Sequence, residues 1–457
     1  MIDRAGLEIR YTPFGYRGFE SLTLRKEESN ELFVGLFLNF KYRTLQKMVI
    51  MKKILIGLLA MTMLMFVGCG KDDPETEDPV AERTVLIYMA AQNNLTLWPN
   101  TSNRFAEYDL KEIKQGIESM GDNHLVIYVD KAKDPISGYD DYKPYLLHYR
   151  KGELRDSIPL DESMLPCNPA TMKTVIEKAF TDYPGKDYGL VLWGHASGWL
   201  FKNDSIANNS ARNRAYGGTN KNGSNQGSGD LWMNIPTLAK TLKTLPHLKF
   251  IFADCCNMMC AECAYELKDV CDYFIGSPAE IPGEGAPYSK VVPAMMEKET
   301  FYKSICDQYA LMYRDRVPLA VVKSSEMANL ANATKTILQV MKTKEMPEYP
   351  DLNNLIYYLD RNLYDMNHFI MTYAMNYDLE AEYQSWKQAF DRAVIYKKFA
   401  TGWETMNHVN FYDFEITEED YSGISMFIPQ KKLQSTDNKN IKKMGWYYAA
   451  GYDSIGW

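Results

Sequence analysis

Five short apolar runs, rich in β-branched and aromatic residues, alternate with segments of helical periodicity along this chain. The runs are residues 84–90 (TVLIYMA), 125–130 (LVIYVD), 188–194 (YGLVLWG), 248–254 (LKFIFAD) and 272–277 (DYFIGS). Runs of this kind are typical of strands that are buried on both faces. Strands that alternate with helices form mostly parallel sheets, because each parallel connection needs a crossover. The sequence therefore predicts an α/β/α sandwich with a mostly parallel central sheet.

The remaining elements are helices, which helical periodicity predicts, and three further strands. In the first part, the predicted helices are residues 105–120, 170–183, 235–245 and a helix after residue 256, and residues 144–150 are predicted to form an edge strand. In the second part, the predicted helices are residues 302–313, 327–341, 352–363 and 379–397, with strands at residues 318–324 and 423–429. Residues 202–230 are dense in Asn, Ser and Gly, which predicts a mobile surface loop. We expect a core over residues 84–298 and a mostly helical C-terminal part of the same unit over residues 299–457.

Residues 51–69 (MKKILIGLLAMTMLMFVGC) have the features of an export signal. Two lysines precede an apolar run that is shorter than the roughly 18 residues of a membrane-spanning helix. The run ends in Phe66-Val67-Gly68-Cys69, which resembles a bacterial lipobox. We therefore expect a lipoprotein signal peptide over residues 51–68, lipid on Cys69, and residues 1–50 to be a start-site artefact.

The residues after Cys69 are polar and acidic, so residues 69–83 are predicted to form an extended tether. Lys71-Asp72-Asp73 resembles the surface-export signal of some Gram-negative lipoproteins. These features predict an outer-membrane lipoprotein that is exposed at the cell surface. The formal net charge of −8, with no basic block, excludes nucleic acid as the main partner.

Two of the predicted strands end in residues that can carry out chemistry. One ends in Gly194-His195 and another in Asp254-Cys255-Cys256. Active sites of open α/β sheets form at the carboxyl ends of strands, and a cysteine nucleophile needs a nearby base. Cys256 at a strand-to-helix junction and His195 at another strand end are the candidates for such a pair.

Structural roles for the same residue types are the alternatives. His195 considered alone is more typical of a hydrogen-bonded structural histidine than of a catalytic one. The other cysteines behave by default as small buried apolar residues; they are Cys260, Cys263, Cys271 and Cys306. The Cys260-x-x-Cys263 pair lacks a second pair or a nearby histidine to complete a zinc site, so no metal site is expected.

Five sequence blocks, in the same order, resemble the clostripain family of cysteine peptidases, which has the caspase-like fold. The blocks are YMAAQNNL, LVLWGHASGW, FADCCNMMCAECAYEL, GSPAEIPGEGAPY and YSGISMFIP. The resemblance runs from about residue 84 to residue 429. It implies a cysteine endopeptidase built on a caspase-like α/β/α sandwich.

The resemblance also assigns roles to residues. His195 matches the catalytic histidine, and the family's Asp-x-Cys pattern makes Cys256 the nucleophile, with Cys255 at the variable position. Asp254 matches a residue associated with the S1 pocket, which implies cleavage of proteins and peptides after Arg or Lys. The backbone N–H groups of residue 196 and Cys256 would form the oxyanion hole. Ala196 replaces the usual glycine, which would misplace this hole if the position needs a positive φ.

Two further expectations come from the family. Its members are cut internally, and Arg212, Arg214 and Lys221 are basic residues in a protease-sensitive context. No cofactor is expected to be required; a calcium requirement is implied only by the resemblance. Two rival functions remain: a surface binding protein with a degenerate peptidase fold, favoured by Ala196, and a transferase in which an amine replaces water.

Overall fold

The computed structural model describes residues 80–96, 104–132, 143–201, 216–219, 231–314, 316–359, 363–400, 402–403, 417–431 and 436–457. They belong to one compact unit, Pro79–Trp457. The predicted signal peptide and Cys69 lie outside them. No helix within these ranges is long and apolar enough to cross a membrane.

The strands are β1 Ala81–Ala91, β2 His124–Lys131, β3 Tyr145–Arg150, β4 Glu153–Pro159, β5 Gly185–Gly194, β6 Tyr216–Thr219, β7 Leu231–Met233, β8 Leu248–Asp254, β9 Cys271–Gly276, β10 Leu319–Lys323, β11 Tyr357–Leu359, β12 Leu363–Asp365, β13 Val394–Lys398 and β14 Ser425–Met426. The helices are α1 Phe105–Gly116, α2 Pro169–Asp182, α3 Ile235–Leu242, α4 Ala261–Glu266, α5 Tyr288–Met295, α6 Phe301–Tyr313, α7 Met327–Thr343, α8 Met366–Asn376, α9 Glu380–Ala393, α10 Asp437–Asn440, α11 Gly445–Ala449 and α12 Tyr452–Ile455.

A nine-stranded sheet with the order β13-β10-β9-β8-β5-β1-β2-β3-β4 forms the centre of the fold. The five middle strands, from β9 to β2, run parallel to one another. Antiparallel strands extend the sheet at both sides. The predicted α/β class with a mostly parallel central sheet is confirmed.

Both faces of the sheet are buried, as the apolar strands predicted. Along β1, Leu86 and Tyr88 point into one core and Val85 and Ile87 into the other. Helices α1, α5 and α6 cover the second core, and the first lies under α2, α3, α4 and the helices of the C-terminal region. Each fully buried apolar side chain of this kind contributes roughly 1.5–3 kcal/mol to folding.

Two predictions for the first part of the chain were wrong. Strand β3 is not at the edge of the sheet, because the more exposed strand β4, Glu153–Pro159, pairs with its outer side. Within the predicted loop 202–230, Tyr216–Thr219 forms a buried strand that pairs with β7. Tertiary contacts bury this glycine-containing strand, which local composition did not reveal.

Two predictions for the second part were also wrong. The described residues of the predicted helix 352–363 are not helical; Asn354 has a φ of 67°, and residues 357–359 and 363–365 form strands β11 and β12. The helix predicted over residues 379–397 ends at Ala393, and strand β13 continues the chain into the edge of the central sheet. The apolar periodicity there covers two successive elements.

The C-terminal region packs against the loop that follows β8. Ser425 N–H donates to the carbonyl oxygen of Met259 at 3.1 Å, and Phe427 N–H donates to Glu262 Oε1 at 2.8 Å. The Phe427 ring also contacts Trp199, in the loop after β5, with ring centroids 4.9 Å apart. The region therefore supports the segments that follow the two strands carrying the candidate site.

Candidate active site

Strands β5 and β8 are neighbours, and their register brings the two reactive segments together. Trp193 pairs with Asp254, so His195 and Cys256 each follow two residues beyond that pair, at the same edge of the sheet. Both residues line one cleft of about 450 Å³, and Asp254 lies in its wall. The structure therefore places the predicted histidine, cysteine and aspartate at one site.

The two adjacent cysteines have different environments. Cys256 is half-buried in the cleft, and its Sγ accepts a hydrogen bond from the N–H of Ile281 at 3.4 Å. Cys255 is completely buried in the core, where burial raises the pKa of its thiol well above the usual range. A thiolate is therefore disfavoured at Cys255, whereas the sulfur of Cys256 faces the cleft.

A third strand end also contributes to the site. Asn94, just beyond β1, has its Oδ1 2.6 Å from Nε2 of His195. In the sequence this asparagine stands out only as part of the block YMAAQNNL. The signal that could have identified it is its position at the carboxyl end of a buried strand next to β5.

The segment after His195 is extended. Ala196 is not among the residues with a positive φ, so a side chain is tolerated there. It forms an antiparallel bridge with Tyr216 in which Gly217 N–H donates to the carbonyl oxygen of His195 at 2.8 Å. In this type of antiparallel pair, the residues on either side of the paired residues form the hydrogen bonds. The bridge therefore does not use the N–H of Ala196.

Gly198 sits where the two reactive loops touch. Its φ is +63°, and a Cβ added there would lie 2.6 Å from the carbonyl oxygen of Asn257, the residue after Cys256. Asn257 itself has a φ of 59°. A glycine is thus required at residue 198 both for the backbone conformation and for the close approach of the loops.

Asp254 is almost completely buried and holds three hydrogen bonds. Its carboxylate accepts from Ala286 N–H at 3.1 Å, from the Tyr288 hydroxyl at 2.8 Å and from the Tyr309 hydroxyl at 3.2 Å. Burial raises the pKa of Asp254 to about 6, although these hydrogen bonds act in the opposite direction. The group changes its charge within an accessible pH range.

A second buried carboxyl group lies close to Asp254. Asp109 accepts a hydrogen bond from Trp193 Nε1 at 2.6 Å, and its pKa is raised well above the usual range by burial and then by the charge of Asp254. The rim of the cleft carries Glu280 and Arg316. Asp109 and Arg316 lie outside the sequence blocks quoted above, and Glu280 lies in one of them without an assigned role. The three residues come from three different loops or helices.

The other residues named in the sequence prediction are either outside the described ranges or buried in the core. Cys69, Arg212, Arg214 and Lys221 lie outside the described residues. Cys260 and Cys263 are both buried in the core. In the part of the chain that the structure covers, no group of three or more His, Cys, Asp or Glu side chains is placed to hold a metal ion.

Comparison with known proteins gives consistent similarities. The model of a family described as the clostripain family matches residues 87–454. A secreted C11 cysteine protease from Bacteroides thetaiotaomicron, solved with an irreversible peptide inhibitor, is 29% identical with a TM-score of 0.65, over 82% of this chain and 100% of that one. An inactive zymogen C11 protease from Parabacteroides distasonis is 28% identical with a TM-score of 0.64, over 82% and 99%. No curated protein sequence matches the chain.

Proposed function

The chain belongs to the clostripain family of cysteine proteases, and we propose that it is an active endopeptidase that cleaves proteins after Arg or Lys. Cys256 is the proposed nucleophile and His195 the proposed proton carrier. The observation that carries this proposal is that both side chains line one cleft, beyond paired positions of two neighbouring parallel strands.

In the proposed mechanism, the thiol of Cys256 loses its proton to His195 and attacks the scissile carbonyl carbon. The backbone N–H groups of Cys256 and Ala196 stabilise the oxyanion. His195 then gives its proton to the leaving amine, and water hydrolyses the thioester. We assign every step to protein groups and propose that no cofactor is required.

The charges of the cleft support a basic P1 residue. The carboxyl groups of Asp254 and Glu280 line the cleft. A cationic P1 side chain could donate a charge-assisted hydrogen bond to either of them. Arg316 at the rim would in turn disfavour a second positive charge close to P1. Arg and Lys are accordingly the P1 residues we expect.

The test compares fluorogenic peptides with Arg, Lys or Asp at P1. We expect turnover of the Arg or Lys peptide, none of the Asp peptide, and no activity in Cys256→Ala. Cys255→Ala is the matched control, because it removes a neighbouring thiol that does not face the cleft. An active Cys256→Ala variant with an inactive, folded Cys255→Ala variant would refute the assignment of the nucleophile.

We also propose that the protein is exported as a lipoprotein, with Cys69 carrying the lipid and the outer-membrane surface as its location. The sequence of residues 51–73 supports this, and one similar protease is described as secreted. Radioactive palmitate should label the wild type but not Cys69→Ala. Protease shaving of intact cells tests surface exposure; a lipid-labelled protein resistant to shaving until lysis would contradict it.

Activation by internal cleavage at Arg212, Arg214 or Lys221 is the last part of the proposal. It is supported by the composition of residues 202–230, and one similar structure is described as an inactive zymogen. A variant with Ala at these three positions and at Lys202, the other basic residue of the segment, should remain uncut and inactive. Full activity of the uncut variant would contradict it.

A further inference from the structure

The turn after β1 holds a polar side chain directly against His195. Asn94 is 5% exposed, and its Oδ1 lies 2.6 Å from Nε2 of His195. The two atoms are within hydrogen-bond distance, and the atom that Asn94 presents to the ring is its side-chain oxygen. An amide oxygen can only accept, so Nε2 of His195 must carry the proton in this contact.

Hydrogen bonds of the neighbouring residue hold the turn that carries Asn94. The neighbouring Asn93 side chain donates to the carbonyl oxygens of Ala90 and Gly218, both at 2.8 Å. Its Oδ1 accepts from the N–H of Leu95 at 3.0 Å. Asn93 thus ties residues on both sides of Asn94 to the end of β1 and to the buried strand β6.

We propose that Asn94 is a positioning residue for the reaction: it holds the His195 ring in one orientation, with the proton on Nε2. Proton exchange with Cys256 and with the leaving amine then takes place at Nδ1. This nitrogen takes the thiol proton as the C–S bond forms and gives it to the amine as the C–N bond breaks. The inference rests on the proposed peptidase function.

The neutral amide also sets how strongly His195 holds its second proton. A carboxylate at the same place would attract the imidazolium ion, whereas the amide oxygen supplies only a hydrogen bond. A purely structural asparagine would not influence the pH dependence of the reaction.

The test compares Asn94→Ala, the isosteric Asn94→Asp, and the exposed control Asn376→Ala. For Asn94→Ala we expect kcat to fall by about 10- to 100-fold with little change in KM, since the ring loses its orientation. For Asn94→Asp we expect the acid limb of the kcat/KM profile to move to higher pH by about one unit or more. Asn376→Ala should match the wild type.

A second readout does not depend on turnover. Nitrogen-15 NMR of His195 distinguishes the two neutral tautomers, and we expect Nε2–H in the wild type and a mixture in Asn94→Ala. A wild type without peptidase activity would refute the proposed function, and the NMR comparison would still decide the role of Asn94. An unchanged tautomer in Asn94→Ala, or wild-type kcat and pH profile in both variants, would overturn the inference.

Discussion

Asp254→Asn separates two effects of one buried carboxyl group, on stability and on substrate choice. Burial raises the pKa of Asp254 from the ordinary 3.8 to about 6. At about 1.4 kcal/mol for each pH unit, the ionised group makes the folded state about 3 kcal/mol less stable than a normally titrating group would. Because the folded-state pKa is raised, this destabilisation is absent below about pH 4 and complete above about pH 6.

The neighbouring groups accept an amide at this position. The oxygen of an asparagine can take the hydrogen bonds of Ala286 and Tyr288, while its nitrogen donates to the Tyr309 hydroxyl. We therefore expect Asp254→Asn to be more stable than the wild type by about 1–3 kcal/mol at pH 8 and equally stable at pH 4. Urea unfolding of both proteins in a Cys256→Ala background, which prevents self-cleavage, measures the difference.

The same substitution should weaken the cleavage of an Arg-P1 peptide, although it makes the folded state more stable. With Cys256 intact, Asp254→Asn should raise the KM for an Arg-P1 peptide by about 10- to 100-fold, the worth of a charge-assisted hydrogen bond. The exposed Asp453→Asn is the matched control and should change neither property. A variant that is less stable than the wild type at pH 8, or that cleaves the Arg peptide equally well, would refute the reasoning.

Four other predictions concern a glycine at the reactive loops, two buried titratable side chains and the cofactor requirement. Gly198→Ala should lose about 2 kcal/mol of stability and most of its kcat. Gly121→Ala has a similar φ of +65°, but its Cβ would meet only Asn123 Nδ2 at 3.8 Å, so it should lose only stability; thermal melting and kinetics check this. Glu262→Gln should flatten the fall in stability that the wild type shows between about pH 4.5 and pH 7, since burial raises the pKa of Glu262 from 4.5 to about 7. Burial lowers the pKa of His148, so the wild type should lose more stability between pH 7 and pH 5 than His148→Gln, as urea midpoints will show. EDTA should leave kcat/KM unchanged, and a loss restored by calcium would contradict the proposal that no cofactor is needed.

The sequence predicted the parts of the fold that rest on continuous apolar runs. The central strands follow from runs such as LKFIFAD, because only a strand covered on both faces needs such a run. Tyr216–Thr219 was missed because two of its four residues are glycines and its burial comes from β7 and the His195 loop. Strand β4 was missed for the opposite reason: its side chains are mostly exposed, so no apolar pattern marks it.

The candidate site shows the same division. His195 and Cys256 stand out because reactive residues at strand ends are few, and the register of β5 and β8 then brings them together. Asn94, Asp109 and Glu280 reach the site from separate segments, and polar residues near turns are too common to be selected individually. The effect of Ala196 depended on one backbone angle that the sequence does not contain.

The contact between the C-terminal region and the Cys256 loop has a consequence for biosynthesis. The donors at Ser425 and Phe427 leave the ribosome roughly 170 residues after Cys256, when the core domain has already been made. A nascent chain that has not reached them lacks these supports for the loop. The order of synthesis therefore delays completion of the reactive centre until residue 427 has been made.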